Sequence, residues 1–295
     1  MNDNKISKNS IVAKFAVPIS FLILFFLAAN FTDCDLVTFW KRRNHLTDLV
    51  VDMIPPDFSY IQKILLPLFY TIQMSVTGTV LGIFFALVLS PFGAANLGFP
   101  AVIRRILRIV IQILRSFPAL ILALTATFLF GLGTFAGTFA ITLYTFAIMT
   151  KLTYEDASAA DVKAYQALRA MGVSKYVAYI HGILPEIIPG FLTNALYLLE
   201  TNVRHSSILG YVGAGGIGLL LNEKISWLEY DKVGTILLML FLTVCVIEYF
   251  SRYLAALIRK ERTIKKEQAR LLLLFLAALF LICTFTLSLP DFSKT

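Results

Sequence analysis

Between Arg115 and Lys151 the chain carries 35 consecutive residues without a charge. The hydrocarbon core of a bilayer is crossed by about 20 helical residues, so this run is too long for one crossing. Gly131-Leu132-Gly133 stands near its middle and supplies a turn. Two spans joined by a very short outside loop follow. Phe15–Thr32 is uncharged for 18 residues, Pro67–Leu89 for 23 and Leu271–Leu289 for 19. Apolar segments near Ile183–Leu209 and Val233–Ser251 complete the set. The expected class is all-α, a polytopic membrane protein of about seven transmembrane helices. The composition agrees, at 58% hydrophobic and 15% charged residues with a mean hydropathy of +0.78. A soluble domain holds roughly 45–50% apolar and about 25% charged residues.

The net charge of +8 does not call for nucleic acid, because the basic residues flank the apolar runs. Cys34, Cys245 and Cys283 form no C-x-x-C, and His45, His181 and His205 are scattered, so no disulfide or metal framework is implied. The first run lies behind Lys5, Lys8 and Lys14 and lacks an A-x-A site after it, so it reads as a retained signal-anchor helix. Residues 33–65 are polar, contain Pro55 and Pro56, and read as an outside loop with room for a surface helix. The third helix is expected to begin near Val102, with Arg115 at the interface and a kink at Pro118, since arginine at mid-bilayer is costly. Three divisions follow: 1–65, an anchor helix and loop; 66–258, the membrane core; and 259–295, a basic linker with an extra helix.

Lys and Arg counts orient the chain. With the N-terminus inside, 17 of the 26 basic residues fall in inside segments, seven fall outside, and Arg115 and Arg204 lie in spans. The polar stretch at about 154–182 then faces the cytoplasm. Within it Val162, Tyr165, Leu168 and Met171 recur every third residue and are expected to share one face, with Lys163, Gln166 and Arg169 as a second, polar row. Asp161 or Ser158 is placed to cap the helix, Gly172 suits a left-handed stop, and Ser174 is placed to cap a second helix running toward Leu184-Pro185. Two readings stand: a docking element for a soluble partner, or a cytoplasmic loop with helical character.

Gly213-Ala214-Gly215-Gly216-Ile217-Gly218 satisfies G-x-G-x-x-G, but a dinucleotide site needs a strand before it, and here a membrane helix precedes. The glycines turn the backbone tightly at the outer face, for gating or for close packing, with Ile217–Asn222 starting a short surface helix. Glu200 and Arg204 stand four apart in the fifth span and are placed to pair. With Asn194, Thr201, Asn202, Ser206 and Ser207 they line the outer half of a polar path, with Arg204 attracting an anion, or they fix helix packing. Glu248 and Arg252 repeat the spacing. The chain contains no G-x-x-x-x-G-K-[ST], G-x-S-x-G or H-E-x-x-H, so catalysis is unsupported and any ATP hydrolysis belongs to another chain.

Gln166-Ala167-Leu168, Gly172 and Ile183-x-Pro185 resemble the EAA loop of binding-protein-dependent ABC importer permeases. With Asn202-Val203-Arg204, Ile208-Leu209-Gly210 and Val212-Gly213-Ala214-Gly215-Gly216-Ile217-Gly218, the chain resembles the phosphonate-importer permease family over about residues 60–258. The resemblance implies a type I importer fold in a bacterial plasma membrane. It implies two permease copies, an extracytoplasmic phosphonate-binding protein and a pair of ATPases that hold ATP and magnesium, with no cofactor in this chain. The coupling loop would comprise Tyr165, Gln166, Ala167, Leu168, Met171, Gly172, Leu184 and Pro185, with apolar contact through Tyr165, Leu168 and Met171. The path and gate would comprise Asn194, Glu200, Asn202, Arg204, Ser206, Gly213, Gly215, Gly216 and Gly218. Gln166 stands where the family has glutamate, which removes a charge from the docking surface, and Leu168 replaces the second alanine. The additional span leaves a homodimer and a pairing with a different permease both open. A methionine-type permease and a self-sufficient secondary transporter or channel are the alternatives.

Overall fold

The structure, a computed structural model, describes residues 3–32 and 36–260. The chain divides into two compact units between Ile54 and Pro55. The first holds α1 (Asp3–Phe31) and α2 (Leu36–Asp52). α1 runs unbroken through Pro18 and leaves Phe21 and Phe31 exposed. α2 is the helix for which the outside loop had room, and it carries Lys41-Arg42-Arg43, with the Arg43 guanidinium 4.6 Å over the Trp40 ring.

The second unit begins with a short 3₁₀ turn, Phe58–Tyr60, and continues with α3 (Ile61–Gly93), α4 (Ala101–Ser116), α5 (Ala119–Phe130) and α6 (Thr134–Ala159). The short helices α7 (Lys163–Ala170) and α8 (Lys175–Gly182) follow, then α9 (Leu184–Leu209), a second 3₁₀ turn, α10 (Ile217–Ser226) and α11 (Tyr230–Lys260). The described residues contain no strand. Large side chains such as Phe84, Phe128 and Phe241 point outward, which suits hydrocarbon and not water.

α3 and α6 form the central pair. They meet at Gly78 and Gly82 of α3, where an added Cβ would lie 2.7 Å from Ile141 and Thr145 of α6. Small residues permit this approach, and dispersion between the closely apposed backbones then holds the helices in lipid. α9 closes against both through polar groups sealed from solvent. Asn202, fully buried, donates from Nδ2 to Thr79 Oγ1 at 2.8 Å and to Thr145 Oγ1 at 2.7 Å. Ser75 of α3 donates to Ser206 Oγ at 2.7 Å.

Among the described residues three helices are long and apolar enough to cross a membrane, or up to five spans if each bent pair is one. The expected seventh span, 271–289, lies outside the described residues. The third span is not one kinked helix. α4 and α5 meet at 95°, because Pro118 drives the preceding Phe117 into extended backbone (φ −87, ψ 126). Pro189, in contrast, leaves α9 continuous; the bend falls at Ile183, where α8 and α9 turn through 70°.

At the end of the unit remote from α7 and α8, Lys224 is buried between the Tyr60 and Trp227 rings and pairs with Glu223 at 3.1 Å and Glu229 at 3.0 Å. The Glu229 carboxyl is held below its ordinary range first by the hydrogen bond from Lys232 and then by Lys224. A depressed carboxylate stabilises fully above its ordinary pKa and loses that contribution as pH falls through the folded value. Acidification is therefore expected to loosen the corner between α10 and α11. Hydrogen exchange across 217–229 as a function of pH checks this.

Candidate functional site

The polar stretch at 154–182 folds from local signals. Asp161 Oδ1 accepts the Lys163 N–H at 3.0 Å, so Asp161 serves the start of α7 although Val162 occupies the cap position. Ser158 does not cap it: its hydroxyl donates to Tyr154 O and accepts the Ala95 N–H. Gly172 takes φ +85 and ends α7. The Val173 N–H reaches Leu168 O and the Gly172 N–H reaches Arg169 O, the two bonds of a Schellman stop, with Leu168 and Val173 packed on the same apolar cluster. Ser174 Oγ caps α8 by accepting the Val177 N–H. Leu184 packs into that cluster and Pro185 stands exposed in the first turn of α9.

The residues spaced by three do not share one face. Tyr165 is 5% exposed and Met171 is 70% exposed. A step of three falls 60° short of a full turn in a 3.6-residue helix, so the row winds around the helix and Met171 ends up beyond it. Tyr165 points inward, with Leu97, Ala178, Tyr179 and Ile183, and Leu168 lies half-buried beside them. The outward face is Gln166, Ala167, Ala170, Met171 and Gly172, continued on α8 by Val177 and Ile180. It is small, apolar and nearly uncharged, the kind of exposed patch that marks a protein contact.

Inward contacts tie this loop to the end of α3. The Tyr165 hydroxyl donates to Leu97 O at 2.7 Å, and the Lys175 ammonium donates to Gly98 O. Burial raises the Tyr165 pKa, which keeps this donor protonated. Asn96 Nδ2 donates to Ala157 O at 2.9 Å, and Arg108 Nε donates to Gly93 O at 3.0 Å while lying over the Tyr154 ring. α7 and α8 are thus fastened to the segment after α3 through hydrogen bonds from Tyr165 and Lys175, and that segment and the end of α3 are bonded in turn to α6 and α4. Sequence reasoning missed the segment Ala94–Pro100 that receives them, because its carbonyl groups leave no side-chain signature.

The structure scatters the residues expected along the path. Asn202 and Ser206 sit in the sealed seam between α3, α6 and α9, and Asn194 is half-buried. Arg204 pairs with Glu200 and keeps 54% of its side chain exposed on the outer side of α9. His205, beside it, meets the Tyr144 ring edge-on at 5.4 Å. Glu248 and Arg252 pair likewise. The glycine string is tightly packed. Gly213 (φ +83) closes the end of α9, with Ala214 N–H on Leu209 O. Gly215 lies against Thr134, Thr71 Oγ1 touches the Gly216 position and accepts the Ile217 N–H at 2.8 Å, and a Cβ on Gly218 would stand 2.0 Å from Ser207 O. Among the described residues no group of His, Cys, Asp and Glu could hold a metal.

Residues 78–289 match the family described as binding-protein-dependent transport system inner membrane component. The chain belongs to this family. It is a membrane-embedded transport subunit. The phosphite transport system permease protein PtxC of Stutzerimonas stutzeri is 31% identical, over 74% of this chain and 79% of the relative. The phosphate-import permease protein PhnE of Mycolicibacterium smegmatis is 32% identical, over 68% of this chain and 38% of the relative. Among solved structures, a chain of the MetNI methionine ABC transporter in inward-facing conformations aligns with a TM-score of 0.60 at 20% identity, over 68% of this chain and 99% of that one. That likeness shares the fold of an ABC importer permease.

Proposed function

We propose that this permease carries phosphonate or a related small phosphorus oxyanion, such as phosphite, inward from an extracytoplasmic binding protein, driven by a separate pair of ATPases that bind ATP and magnesium. The similarity to a phosphite permease over three-quarters of both chains carries this reading. The outward face of α7 and α8 is the surface an ATPase would grip on the cytoplasmic side. The contacts of Tyr165, Lys175 and Asn96 convert that grip into movement of α3, α4 and α6, a shift between two packings of the same helices. Arg204 faces out of the protomer from a spanning helix. A charge at that depth is retained where it borders a second copy or a polar path, so two permease copies would meet along α9 and present Arg204 to the passing anion.

Reconstitution tests the reading. The chain with its ATPase and binding protein is expected to take up phosphite or a phosphonate only when ATP is supplied. Gradient-driven flux through the chain alone would overturn it. Arg204→Gln is expected to weaken growth on the oxyanion several-fold at normal expression; unchanged growth removes Arg204 from the path.

A further inference from the structure

We propose that α4 is an in-plane helix seated in the headgroup region of the bilayer, where Arg105 and Arg115 bind anionic phospholipid. Residues 101–116 hold four arginines and no acidic residue. Plotted at 3.6 residues per turn, they divide into three arcs. Leu107 and Ile111 form the edge against the protein, Ile111 being 1% exposed. Val102, Ile106, Ile109, Val110 and Ile113 form an exposed aliphatic arc. Arg105, Gln112, Arg115 and Ser116 form an exposed polar arc.

The fold orients these arcs. α5 and α6 are joined by Gly131–Gly133 and pack side by side, so α5 runs along a spanning helix. α4 leaves it at 95° and therefore runs across the spanning direction. α6, alongside which α5 runs, leads from Gly133 to α7, so the end of α5 that meets α4 is the one on the side of α7 and α8. At that same end Arg104 and Arg108 reach the carbonyls of Ala95 and Gly93. The polar side accordingly looks toward the α7–α8 end and the aliphatic arc looks into the bilayer. A helix with this division lies in the membrane plane.

The charge decides the occupant. A two-fold contact between copies through α4 would set two arginine rows together with no counter-charge, whereas anionic headgroups supply one. Naming this side the cytoplasmic one rests on the function proposed above; failure of the importer reading would leave the pattern below unchanged.

The test uses the full chain, with its native cysteines replaced by serine, in vesicles of phosphatidylethanolamine and phosphatidylglycerol. A fluorophore on Ile109→Cys is expected to be quenched at least three-fold more by shallow spin-labelled lipid than one on Gln112→Cys. Disulfide crosslinking between two Ile109→Cys copies without quenching would overturn the proposal in favour of a permease interface. Labelling of both positions by a membrane-impermeant maleimide would overturn it in favour of a soluble partner. Native mass spectrometry of the purified protein reads the headgroup. Arg105→Gln with Arg115→Gln is expected to retain less than half of the phosphatidylglycerol held by the parent chain, with unchanged elution on size exclusion. Equal retention would overturn the role of these arginines.

Discussion

Gly82→Leu is expected to lower the amount of folded permease in the membrane more than ten-fold. A Cβ at Gly82 stands 2.7 Å from Thr145 Cβ and 2.8 Å from Thr142 O. One of those atoms is backbone, so the substitution must drive α3 and α6 apart along the central pair. Overpacking of this kind costs about 1–3 kcal/mol. Here it also pulls Thr145 from Asn202, which binds α9 to both helices. Interhelical hydrogen bonds in lipid contribute about 0.6 kcal/mol each on average, so steric separation outweighs their loss. Gly82→Ala is expected to fall between, and Phe84→Leu, at an outward position, to leave the amount unchanged. Size-exclusion profiles of detergent extracts, normalised to total membrane protein, read the three variants.

Gly172→Val is expected to leave the protein inserted and stable but to cut transport at least ten-fold, with ATP hydrolysis by the assembled complex no longer followed by uptake. Nothing lies within 4 Å of a Cβ there, so the effect is conformational. At φ +85 a left-handed backbone costs an ordinary residue roughly 1–2 kcal/mol, and a β-branched one more. That is comparable to the roughly 1–3 kcal/mol that the two Schellman hydrogen bonds return, so α7 is expected to unwind at its end and Met171 to leave the outward face. Gly172→Asn is the control, because asparagine tolerates the left-handed region; it is expected to keep most of the uptake. Wild-type uptake by the valine variant would remove the α7–α8 corner from coupling.

Much of the local structure was legible because it rests on local rules. The Gly172 stop, the Ser174 cap and the short α10 helix follow from residue types at fixed offsets, and the spans follow from uncharged length. The face of α7 was misread because a three-residue spacing was taken as a helical period. Residues along α9 were grouped by polarity alone, yet polarity in a span serves two ends. Arg204 lies outward with its partner Glu200 largely covered beneath it, while Asn202 and Ser206 lock the inside of the bundle.

The chain by itself determined that it is helical, that it crosses a membrane repeatedly, and where a helix–glycine–helix corner interrupts the spans. These depend on the cost of placing charges in hydrocarbon and on backbone preferences of single residues. The tertiary structure decided which polar side chains are sealed, that α4 and α5 meet at 95° at Phe117-Pro118, and that the helix–glycine–helix corner is fastened to the segment after α3 through Tyr165 and Lys175. Those outcomes depend on which helices approach closely and on backbone carbonyls as acceptors, and a carbonyl is the same at every position of the sequence.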